Sequence, residues 1–98
     1  MDNIEIKGVH FNVSDDAKEY IHKKLHRIDY ASDLIVDLLF TLTKEKKGYT
    51  LVANINFRWG YSTHIEVKNF DLFEGIDKLM DKLELKVTKE KEKIQEHT

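Results

Sequence analysis

The chain has no cysteine, no proline and only four glycines, and no apolar run approaches the ~20 residues a membrane-spanning helix needs. Without cysteine there is no disulfide framework, no thiol chemistry and no thiolate metal site, which is compatible with a reducing cytosolic setting. Linkers rich in proline, glycine or serine, internal repeats and low-complexity tracts are missing. The glycines stand singly at Gly8, Gly48, Gly60 and Gly75, so no glycine-rich phosphate loop exists. The opening MDNIEIKG is not a charged leader followed by an apolar core, so a secretory signal is not expected. A strong excess of positive charge is lacking too. The formal net charge of −2 excludes a highly basic nucleic-acid binder by the sum, but not by the distribution.

What is present suits one globular domain spanning residues 1–98, with 41% apolar and 35% charged residues of both signs. Ile4 and Ile6 alternate with polar neighbours as a short strand. Gly8 interrupts it, and Val9, Phe11 and Val13 resume the alternation. Ser14 is a helix N-cap, followed by Asp15 and Asp16 in the first turn, where the helix dipole favours acids. This first helix is expected to run to about Ile28, with Ala17, Ile21, Leu25 and Ile28 on its apolar face and Tyr20, Lys23, Lys24 and Arg27 beside it. Tyr30 to Asp33 reads as a connection. Leu34 to Thr43 is a central strand, with Val36, Leu38, Phe40 and Leu42 on one side and Ile35 and Leu39 on the other. Lys44 to Gly48 is a charged hairpin tip. Strands follow at Tyr49 to Arg58 and Tyr61 to Lys68, joined by a turn around Arg58, Trp59 and Gly60.

The longest periodic run is Asp71 to Ile94, opened by an Asp-x-x-Glu capping box at Asp71 and Glu74. Leu72, Phe73, Ile76, Leu79, Met80, Leu83, Val87 and Ile94 recur at helical spacing. Projected at about 100° per residue, Lys78, Lys82, Lys86, Lys89 and Lys93 fall within a stripe of roughly 80°. Glu74, Asp77, Asp81, Glu84 and Glu92 collect on the other flank, and Glu90 and Lys91 lie at the edges of the apolar face. Gly75, unfavourable within a helix, implies close packing against a strand or the first helix. The order β-α-β-β-β-α predicts an α+β fold: a two-layer sandwich in which a four-stranded sheet carries both helices on one face. The other face would carry Asn54, Asn56, Arg58, His64, Glu66 and Lys68.

Catalytic chemistry is not indicated. His22 and His26 have the i, i+4 spacing of a metal pair, but HKKLH lacks the metalloprotease glutamate and no third ligand is evident, so a solvated polar face is the simpler reading. His10 and His64 have no nucleophile partner. Tyr49, Phe57 and Tyr61 sit at core-facing strand positions. Trp59, in a turn, can either stack on a base or cover the sheet edge. The lysine stripe has a bland reading as well: Glu74 with Lys78, Lys78 with Asp81, and Lys86 with Glu90 are spaced for weak surface pairs of ~0.2–0.5 kcal/mol. Against it stands the second basic flank, on the first helix. If the two basic flanks face each other, they form one positive strip that can track phosphates, with the acids on the far side.

These residues resemble the ribosome hibernation promoting factor family, which includes the ribosome-associated inhibitor proteins. The resemblance is carried by D-x-F-x-x-I-D-x-L-x-D-K-L at Asp71 to Leu83, by T-K-x-K-x-K at Thr88 to Lys93, and by I-x-I-K-G-x-H at Ile4 to His10. It is carried further by the Ser cap, Tyr20-Ile21, Lys24 and Arg27, and it covers essentially the whole chain. It implies a protein that binds the small ribosomal subunit between head and body near the decoding centre. Such a protein covers the tRNA and mRNA sites and represses translation in resting or stressed cells. Position by position it assigns contact with ribosomal RNA to Lys24, Arg27, Lys82, Lys89, Lys91 and Lys93. The stripe itself adds Lys23, Lys78 and Lys86.

The chain departs from the family at Leu85, where a basic residue is common, and at Tyr30-Ala31-Ser32, where a basic or aromatic pair is usual. The C-terminal dimerisation domain of long members does not follow Thr98, so a short form, or one domain of a longer protein, is expected, cytoplasmic and monomeric when free. No cofactor, metal, membrane or small-molecule substrate is expected, and no enzymatic activity. Two other readings share the same residues: a generic double-stranded-RNA-binding module, and an interaction scaffold whose lysines only solubilise it.

Overall fold

The computed structural model describes residues 1–96; the last two residues of the expected domain lie outside it. Along the chain run β1 (Asn3–Val9), α1 (Asp15–Lys24), a 3-10 segment (Leu25–Leu34), β2 (Ile35–Glu45), β3 (Gly48–Phe57), β4 (Ser62–Asn69) and α2 (Leu72–Glu96). The sheet order is β1-β2-β3-β4. β1 is parallel to β2, and the other pairs are antiparallel. This is the expected α+β sandwich. Leu38, Phe40 and Leu42 of β2 and Leu51, Ala53, Ile55 and Phe57 of β3 are buried under Ala17 and Ile21 of α1 and Ile76, Leu79, Met80, Leu83 and Val87 of α2. The opposite face exposes Asn54, Asn56, His64, Glu66 and Lys68, and Arg58 at the strand end is exposed as well.

Four local details differ from the sequence reading, each for a physical reason. β1 stops at Val9, because His10 adopts φ 66° and turns the chain; Phe11 and Val13 pack on the core from outside the sheet. α1 ends at Lys24, and the chain tightens into the 3-10 segment, with Ile28 off helical geometry at φ −114°. A 3-10 helix has three residues per turn, so Leu25, Ile28, Ala31 and Leu34 share one face toward the core. In β2 the pairing shifts between Ile35 and Asp37. This bulge turns Ile35 inward with Leu38 and leaves Val36 only half-buried, reversing their expected sides.

The fourth detail is the start of α2, where the capping box is half formed. Asp71 accepts from the Glu74 amide at 2.9 Å, but the Asp71 amide is satisfied by Asn69 Oδ1 at 2.9 Å, which frees the Glu74 carboxylate. The cap on α1 is as expected, with Ser14 Oγ accepting from the Ala17 amide at 3.1 Å. Gly75 is buried where α2 crosses β3 and β4. A Cβ there would lie 2.9 Å from Leu51 Cδ1 and 3.2 Å from Asn69 Cβ, so glycine sets how closely α2 approaches the sheet.

Candidate nucleic-acid interface

The two flanks of α2 meet different neighbours. The acidic flank faces α1 and the 3-10 segment. Tyr20 donates to Asp77 at 2.6 Å, and Lys24 lies 3.5 Å from the same carboxylate. Arg27 reaches Asp81 and Glu84, each at 2.9 Å. These carboxylates raise the affinity of the Arg27 guanidinium for its proton, Glu84 more than Asp81. Further along, the Tyr30 hydroxyl bonds Thr88, and Lys91 donates to the Tyr30 carbonyl at 3.2 Å while lying over the Tyr30 ring. The basic flanks of the two helices therefore do not face each other. Lys24 and Arg27 instead pair with Asp77, Asp81 and Glu84 of α2, so these three acids lie between the helical segments, not on a far side.

The lysine stripe is left on the outer side of α2, along the free edge of β4. Lys78 pairs with Glu74 at 3.3 Å. Lys82 donates to the Glu66 carbonyl of β4 at 3.0 Å, capping part of an otherwise open strand edge. Lys86 and Lys93 share one carboxylate, Glu90, at 3.4 and 3.2 Å. Among the described residues no carboxylate lies within ion-pair distance of Lys82 or Lys89, or of Lys23 on α1. Five lysines thus stand against two carboxylates, and the row is net positive although the whole chain is not.

Glu90 is the one charged residue among the described residues that is buried, at 4% exposure. Its place at the edge of the apolar face was visible in the helical projection; its depth was not. A buried carboxylate needs partners, and the two lysines that supply them are anchored to it. Burial depresses the Lys86 ammonium, but the Tyr61 side chain and Glu90 more than offset this, so its proton is held more tightly than usual. Lys86 also lies over the Tyr61 ring. Behind it Phe57 stacks on both Tyr61 and Trp59, with ring centroids 5.9 and 4.8 Å apart. Trp59 keeps 45% of its surface exposed, so it covers part of the core edge and still offers one side to solvent.

Leu85 is 63% exposed, on the solvent side of the row, as projected. His26 pairs with Asp29 at 3.0 Å beside an exposed His22. Among the described residues there is no group of three or more side chains suited to hold a metal, and no helix is long and apolar enough to cross a membrane.

Residues 4–95 match the family described as Sigma 54 modulation protein / S30EA ribosomal protein. The ribosome hibernation promoting factor of Escherichia coli strain K12 is 27% identical over 94 residues, covering 96% of this chain and 98% of that protein. The ribosome hibernation promoting factor of Azotobacter vinelandii is 28% identical over 90 residues, covering 92% of this chain and 83% of its own. Among solved structures, a ribosomal subunit interface protein from Coxiella burnetii superposes with a TM-score of 0.83 at 28% identity, covering 91% of this chain and 97% of that one. The N-terminal domain of Thermus thermophilus Protein Y does so with 0.77 at 26% identity, covering 89% and 97%.

Proposed function

The chain belongs to the Sigma 54 modulation protein / S30EA ribosomal protein family, and from that premise we propose that it is a ribosome hibernation factor. It is not an enzyme. In this reading it acts in the cytoplasm as a monomer, by occupancy: it binds the small ribosomal subunit near the decoding centre, excludes tRNA and mRNA, and represses translation in resting or stressed cells. Residues 1–98 form its single ribosome-binding domain.

The observation that carries the reading is the row of Lys78, Lys82, Lys86, Lys89 and Lys93 on the outer flank of α2. Its ammoniums rise from one rigid helix, and two are fixed by a buried carboxylate. A row of this kind suits the phosphates of folded RNA, because positioning contacts to phosphate need fixed cations and no base specificity. Lys24, Arg27 and Lys91 form a second group at the junction of the helical segments, and Lys23 stands exposed on α1 beside Lys24. There Lys24 and Arg27 bind RNA with whatever charge their carboxylate partners leave unneutralised.

Sedimentation with purified subunits tests the reading. The protein is expected to travel with the small subunit and to stay there when excess duplex RNA is added. Displacement by duplex RNA would instead indicate a generic double-stranded-RNA binder. Absence from the ribosomal fractions at low salt would reject an RNA role.

A further inference from the structure

Phe70 connects β4 to α2 and leaves 81% of its surface in solvent. A lone exposed aromatic is ordinary; its setting here is not. The backbone beneath it is fixed. Tyr49 pairs with Asn69 across β3 and β4, and Asn69 Oδ1 holds the Asp71 amide at 2.9 Å. Gly48, at φ 114°, lies so near that an added Cβ would come within 2.6 Å of the Asn69 carbonyl and 2.8 Å of Phe70 Cα.

The side chain borders an open groove of about 890 Å³ between the β2–β3 hairpin tip and the end of β4, lined also by Lys46, Lys47, Lys68 and Lys78. Glu45 also lines the groove and accepts from the Thr50 hydroxyl at 3.1 Å, and Glu74 pairs with Lys78, so lysines outnumber the carboxylates there. An apolar protein partner would have to desolvate four ammoniums to reach one ring. A nucleic-acid strand uses both, placing phosphates on the lysines and a base on the aromatic face. Lys78 belongs to this groove and also begins the α2 row, so the two surfaces are continuous.

We propose that Phe70 is a stacking platform for an unpaired base of RNA on the small subunit, with Lys46, Lys47, Lys68 and Lys78 holding the adjoining phosphates. The inference rests on the ribosomal reading above and adds to it a single-stranded contact at the hairpin end. The test measures affinity of the full chain for small subunits. Phe70→Ala is expected to weaken binding roughly 5- to 150-fold, the usual effect of removing one stacking aromatic. Phe70→Tyr, which keeps the ring, should bind like the parent. In a Trp59→Phe background, Phe70→Trp should lose emission when subunits are added.

Unchanged affinity of Phe70→Ala, or unquenched emission from a variant that binds, overturns the platform and leaves the ribosomal reading standing. A blue shift without quenching would report an apolar protein contact and would also overturn it. If the unaltered protein fails to bind subunits, both fall together.

Discussion

Arg27 and Glu84, 57 residues apart in sequence, meet at 2.9 Å between the 3-10 segment and α2. With Asp81 on the same guanidinium, this contact marks the flank of α2 that faces the neighbouring helical segment, an orientation set by the buried apolar face of α2. The acids are turned to the neighbouring helical segment, and the lysines are turned out. A partly exposed pair is worth only about 0–1 kcal/mol by itself, but reversing its sign sets like charges together. Arg27→Glu is expected to lower unfolding stability by about 1–2 kcal/mol, and Glu84→Arg in that background should recover about half. Urea titrations of the two single variants and the double variant measure the coupling.

Much of this architecture was legible in the sequence. Period-2 alternation marked β3 and β4, and the 3.6-residue period marked α2, because each buries one face against a single layer. The change in helix type after Lys24 was not legible, because the three-residue steps from Leu25 to Ile28, Ala31 and Leu34 suit an α-helical face as well as a 3-10 one. The orientation of the flanks was not legible. Helical projection groups Lys78 with Lys82 and Asp77 with Asp81, but it does not say which group a neighbouring helix will meet. The bulge at Ile35–Asp37 was hidden for a similar reason, since Ile35, Val36, Leu38 and Leu39 are all apolar and leave the inward side unmarked. The pairing of Lys86 with Glu90 was legible from its i, i+4 spacing, but the depth of Glu90 was not, because spacing does not report burial.

Gly48 combines a left-handed backbone with a close approach to the Asn69–Phe70 peptide. Gly48→Ala should therefore destabilise by at least about 2 kcal/mol, from conformational strain together with backbone displacement. Thermal unfolding followed by circular dichroism checks this. A change within about 0.5 kcal/mol, typical of a neutral surface site, would contradict the described turn.

Arg58 clamps the amino-terminal strand, with its guanidinium on both oxygens of Asp2 at 3.0 and 3.2 Å and its Nε on the Asp33 carbonyl. The hydrogen bonds from Arg58, and then its charge, hold the Asp2 carboxyl below the ordinary 3.8. A depressed carboxyl stabilises the fold above its unfolded pKa, and this contribution is lost as pH falls through the folded value. NMR titration should give Asp2 a midpoint below 3.8, and Arg58→Ala should raise it.

Leu85 is an exposed apolar residue beside a row of cations. Leu85→Lys should change stability by less than about 0.5 kcal/mol and should tighten RNA binding. The slope of log affinity against log salt should steepen by roughly 0.7–0.9, the contribution of one added phosphate contact. An unchanged slope would mean that this side of α2 does not face RNA.

The measurement that bears most directly on the proposed function is cosedimentation of Lys82→Glu/Lys89→Glu/Lys93→Glu with small ribosomal subunits across a salt series, beside the unaltered protein. The row predicts that the unaltered protein binds at low salt and is released steeply as salt rises. It predicts that the triple variant, folded by circular dichroism, stays at the top of the gradient at every salt concentration. A folded triple variant that binds subunits as tightly as the unaltered protein, with the same salt slope, would show that RNA does not lie along this flank of α2.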